Sequence, residues 1–131
     1  MPIAQRVTFL NVDLMVLGDF DRKPLLRALG KSVIALHDLD DDVRLDGDPC
    51  LVLEVADTGL DVAGTLGRFV ELIERLPPTA RKTWRAAKRR RFDVGIQGGR
   101  HPHSTSWLVS KELLAAVADC GAELAITVYG A

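Results

Sequence analysis

The sequence predicts an α+β fold, with helices on one face of a largely antiparallel sheet. Three observations carry the prediction. Short segments of alternating apolar residues recur along the chain, as half-buried strands require. Between them lies one long stripe at helical spacing: Val62, Leu66, Phe69, Ile73 and Leu76. Finally, the linking segment at Asp21 to Leu29 is too short for the long crossover helices of a doubly wound parallel sheet, the alternative architecture. The expected order is β-α-β-β-α-α-β-β-α-β, a ferredoxin-like variant with an added hairpin, in one domain spanning residues 1–131.

The last forty residues set the pattern. Phe92, Val94 and Ile96 alternate with Asp93, Gly95 and Gln97, predicting a strand that Gly98-Gly99 ends. A polar loop, Arg100 to Ser104, leads to Trp107, Leu108 and Val109, read as a short strand. Ser110 is the expected N-cap of a helix with Glu112 in its first turn. Leu113, Leu114, Val117 and Cys120 form its apolar stripe, and Gly121 is its C′ residue. Leu124, Ile126 and Val128 alternate in a final strand. Residues 7 to 37 repeat this strand–helix–strand grammar, with Asp21 as cap and Gly30 at the helix end.

The first strand changes phase. Val7 and Phe9 alternate in one register; Leu10, Val12, Leu14 and Val16 alternate in the other. One strand can do this only through a bulge near Phe9-Leu10. Asn11, Asp13 and Met15 then share the opposite face. In the middle stripe, Gly64 and Gly67 lower helix propensity and would allow close approach to the sheet. Pro77-Pro78 ends this helix, and a second helix is expected from Thr79 to about Arg90.

Composition excludes several functions. Of 131 residues, 47% are hydrophobic and 27% charged, with net charge −1, an ordinary globular balance with no field favouring nucleic acid or membrane surfaces. No apolar run reaches the roughly 18 residues a membrane span needs, and the N-terminus has no signal-peptide pattern. Cys50 and Cys120 stand far apart and read as buried, reduced thiols of a cytoplasmic protein.

Two charge clusters are the candidate binding features. Residues 38–48 hold six aspartates, including Asp40 and Asp42, in eleven positions. The spacing resembles a calcium loop, but it lacks the glycine at position six and the glutamate at position twelve. It reads as an acidic hairpin tip. Residues 81–91 hold seven cations, among them Arg81, Arg85 and Arg89. They read as a basic helix face opposite the acidic hairpin or an acidic partner. Aromatic content of 5% offers no stacking platform for nucleic acid.

Catalytic motifs are absent: no phosphate loop, GxGxxG, HExxH or GxSxG. Arg100, His101 and His103 form the one reactive-looking loop. Two imidazoles could begin a metal site, but such sites need three or four ligands. His37 and Asp38 are the other candidates, and the expectation is no metal and no cofactor.

The segments Phe92–Ile96, Leu108–Leu114 and Gly121–Tyr129 resemble a family of small bacterial α+β domains of unknown function. Some members stand beside polymorphic toxins as presumed immunity proteins. The likeness covers mainly residues 90–130, and its motifs are core and turn residues, so it carries no catalytic residues over. It implies a compact binding domain, immunity-like or regulatory, with another protein as partner and a homo-oligomer compatible. The alternatives are a small-ligand sensor and a metal-assisted enzyme using His101 and His103.

Overall fold

The computed structural model describes residues 6–36 and 43–130. It is an α+β domain with a mostly antiparallel six-stranded open sheet and four helices. The strands are β1 (Thr8–Leu17), β2 (Val33–Ala35), β3 (Arg44–Leu45), β4 (Asp48–Val55), β5 (Arg89–Gln97) and β6 (Glu123–Tyr129). The helices are α1 (Lys23–Leu29), α2 (Val62–Glu74), α3 (Pro78–Ala86) and α4 (Lys111–Asp119). The sheet order is β2-β4-β1-β5-β6, with β3 paired to β4. Among the described residues the pairings between these strands are antiparallel except β5 with β6.

The two strand–helix–strand units thus differ. β5 and β6 are adjacent and parallel around α4. β1 and β2 are separated by β4, which pairs antiparallel with both. The same local grammar gives a closed unit at one end of the chain and a split one at the other. Gly30 (φ 51°) and Gly121 (φ 77°) stand at the ends of the two helices.

One face of the sheet is covered. Val12, Leu14 and Val16 of β1, Leu51 and Leu53 of β4, and Phe92 and Val94 of β5 form a continuous core with all four helices. Alternation places these residues on the same side. The predicted α2 stripe lies in this core: Val62, Leu66, Phe69, Ile73 and Leu76 are all buried. Asp61 caps α2, its carboxylate accepting the Gly64 amide at 2.7 Å. The glycines do not serve the sheet, however. A Cβ on Gly67 would meet open space, and one on Gly64 would meet its own cap at Asp61 and Leu60.

The bulge falls where the phase change puts it. Phe9 pairs with Ile96 and Asn11 with Gly95, leaving Leu10 as the extra residue. Ser110 accepts the Leu113 amide at 3.1 Å and caps α4. Asp21 is not the N-cap of α1; Arg22 is, although the Asp21 carboxylate accepts the Lys23 amide at 3.1 Å.

Three boundaries need correction. Trp107 to Val109 belongs to no strand, so the sixth strand is β3 instead. The second helix stops at Ala86, and Arg89 to Arg91 open β5. The hairpin turn is Asp46-Gly47, both at positive φ (55° and 85°), the geometry of a two-residue primed turn. Asp40 and Asp42, with His37 and Asp38, lie outside the described residues.

On its other face the sheet carries a small second core. Leu17, Cys50 and Val52 are buried there beneath Met15, Val43 and Leu45, the last of which belongs to β3. The two cysteines are free; Cys50 is buried, while Cys120 is only half-buried. Burial pushes both thiols above their ordinary pKa.

Candidate functional site

The charge clusters meet each other. Asp46 accepts hydrogen bonds from Arg89 and Arg91, each at 2.9 Å. Glu123 of β6 accepts from the same two guanidinium groups, at 2.6 and 3.1 Å. Lys88 reaches Asp48 at 3.1 Å. The hydrogen bond from Arg91, and then the one from Arg89, hold Asp46 below its usual carboxylate range. At Glu123 burial pulls upward, and the two arginines outweigh it. This network lies on the sheet face away from the main core, beside the β3–β4 hairpin.

Two further cations tie backbone. Arg81 donates to the carbonyls of Glu74 and Leu76, at 2.6 and 3.4 Å, so it closes the end of α2. Arg90 donates to the Trp84, Ala87 and Gly121 carbonyls at 3.0 to 3.1 Å and lies over the Trp84 ring. Trp84 in turn donates to the Cys120 carbonyl at 2.9 Å. Arg85 is exposed at the rim of a groove of about 290 Å³ that this assembly borders.

Arg100, His101 and His103 are exposed in the loop between β5 and α4. The His101 carbonyl accepts the Val7 amide at 2.7 Å, which anchors the loop to the start of β1. Among the described residues, no three His, Cys, Asp or Glu side chains converge on a point that could hold a metal.

A polar cluster that no sequence motif marks occupies the middle of the open sheet face. Asn11 and Asp13 come from β1, Glu54 from β4, Asp93 from β5 and Thr127 from β6. The Asn11 amide donates to Asp13 at 3.2 Å and also to Glu54. Thr127 donates to Asp93 at 2.7 Å. Asp13 and Asp93 are cross-strand partners. Burial first, then the Glu54 charge and hydrogen bond, then Asp93, raise the Asp13 pKa to about 6. The cluster can therefore hold a proton near neutrality.

A raised carboxyl pKa means that the folded state binds more protons than the unfolded chain between the ordinary 3.8 and about 6. The associated stability is complete below this window and is lost as pH rises through it. Asp13→Asn removes the penalty. Urea melts at pH 8 should show a gain of roughly 1–2 kcal/mol, allowing for the half-exposed setting, and no gain below pH 4. A loss at pH 8 would mean that the ionised carboxylate supports the fold.

The remaining feature is the outer edge of β6. Among the described residues nothing pairs with it. Leu124, Ile126 and Val128 project on the helix side, where α4 leaves them open; Ile126 is 64% and Val128 62% exposed. Tyr129 at the end of the same strand and Leu114 of α4 are also exposed. Such a strand offers both an apolar surface and a row of unpaired backbone groups. No helix among the described residues is long and apolar enough to cross a membrane. No family model, curated protein or solved structure matches the chain.

Proposed function

We propose that the chain is a non-enzymatic protein-binding domain of regulatory or immunity-like type, acting in the cytoplasm on a ferredoxin-like variant extended by α4 and β6. The observation that carries this reading is the apolar, unpaired edge of β6. A partner segment can add to it as a further strand, with backbone hydrogen bonds giving affinity and the row Leu124, Ile126, Val128 giving specificity. The clustered cations support it by contrast. Arg81, Arg89, Arg90 and Arg91 are engaged within the chain, which disfavours a phosphate or nucleic-acid surface built on them. The resemblance to small bacterial domains also rests chiefly on the segment containing α4 and β6.

A photo-crosslinking amino acid at Ile126 tests the proposal in cells, with one at exposed Lys82 as control. The expected result is a discrete protein adduct from position 126, identified by its peptides, and none from position 82. Equal labelling at both positions would sink the reading.

A further inference from the structure

We propose that the protein seated on β6 is a second copy of this chain, joined by antiparallel β6–β6 pairing about a two-fold axis at Ile126. This inference rests on the protein-binding reading above and names its partner.

The backbone supplies the register. The Tyr129 carbonyl accepts from the Gly98 amide at 2.8 Å, so it points toward β5. Amides and carbonyls alternate sides along a strand. Leu124, Ile126 and Val128 therefore turn theirs outward. A two-fold axis through Ile126 sets Ile126 against its counterpart and Leu124 against Val128. All three are then hydrogen-bonded antiparallel pairs, which exchange about six backbone hydrogen bonds in total. An axis midway between two residues would oppose an outward-facing residue to an inward-facing one, and an axis at Ala125 or Thr127 would pair only two of the three outward residues within the strand.

The side chains agree with that register. On the helix side every pair is apolar on apolar. On the other side, Ala125 meets Thr127 and Glu123 meets Tyr129. Glu123 is the only charged residue in the strand, and Arg89 and Arg91 already bind it. The two copies of Glu123 would sit at opposite ends of the ladder. At about 3.4 Å per residue they are roughly 20 Å apart, beyond the Debye length of about 8 Å.

The edge also lacks the guards of a monomer. Exposed edge strands are normally short, charged, bulged or broken by proline. The opposite edge, β2, obeys this with three residues. β6 has seven residues, with no proline and no charge after Glu123. Leu124, Ile126 and Val128 are 38%, 64% and 62% exposed, so each outward pair of the proposed ladder would cover open apolar surface.

Sedimentation equilibrium on the intact chain at micromolar concentration tests the proposal. A dimer is expected. Ile126→Lys places two like charges directly opposite and should give a monomer with an unchanged circular dichroism spectrum. Ile34→Lys on the other edge should leave the dimer intact. Should Ile126→Lys fail to fold, Ile126→Cys decides. Cα atoms about 5.5 Å apart permit a disulfide, so mild oxidation should link two chains through position 126 but not in Ile34→Cys. A monomeric wild-type chain, or a dimer insensitive to Ile126→Lys, overturns the proposal. If the chain is monomeric yet position 126 still crosslinks to a different protein, the binding reading stands and the self-association fails. If position 126 also captures nothing, both fail.

Discussion

Phe69→Ala is expected to lower the free energy of unfolding by about 3–5 kcal/mol, the usual cost of emptying a large aromatic core site. Phe69 sits on the buried face of α2, 1% exposed, with its ring 5.3 Å from that of Phe92. The rings are tilted by 47°, a favourable aromatic arrangement. Phe92 lies in β5, next to the central strand β1. Truncation at Phe69 therefore opens a void where the helix layer meets the middle of the sheet, and the sheet cannot collapse to fill it. Urea melts followed by circular dichroism measure the effect. A loss below about 1 kcal/mol would show that this contact does not hold α2 to the sheet.

Gly18→Ala should cost about 2–4 kcal/mol, from two causes that act together. Gly18 follows β1 with φ at 124°, a conformation that side-chain-bearing residues avoid. An added Cβ would also stand 2.9 Å from the Lys88 backbone nitrogen. That nitrogen cannot step aside, because it donates to the Leu17 carbonyl at 2.8 Å. Gly30→Ala is the control. Its φ is also positive, but an added Cβ there meets nothing within 4 Å. It should cost less than Gly18→Ala, since it carries the backbone penalty alone. Equal losses in thermal melts would show that crowding at Lys88 contributes nothing.

What was legible in the sequence was local. The α2 stripe repeats within one helix, so its burial follows from period alone. The β1 bulge announced itself because both phases of alternation lie in one strand. The Ser110 cap and the Gly121 stop each need only a few neighbouring residues. The end of α3 was less visible. Its cations Arg81, Lys82, Arg85, Lys88 and Arg89 keep helical spacing past the end of the helix, while the change at Ala87 depends on Arg90 folding back onto the carbonyls of Trp84 and Ala87. Trp107 to Val109 misled for a related reason. Its three consecutive apolar residues read as a strand, but Leu108 is 85% exposed and the segment belongs to none. Asp13, Glu54 and Asp93 belong to three strands, and their meeting depends on long-range register. β6 hid its character most fully. Its alternation is that of a buried strand, and only the sheet order leaves that face open.

The central position of β1 has a consequence for synthesis. Leu14 pairs with Leu53 and with Phe92, so its two neighbours come from later and much later in the chain. A ribosome delivers the middle of the sheet first and the strand that completes its flank near the end. Until residue 97 emerges, the apolar run through Val12, Leu14 and Val16 has one strand neighbour at most. Long-range pairing of this kind is slow and leaves strands open to unwanted partners. A row that is fully sealed in the finished protein is thus one that its nascent chain must shield while most of the sheet is made.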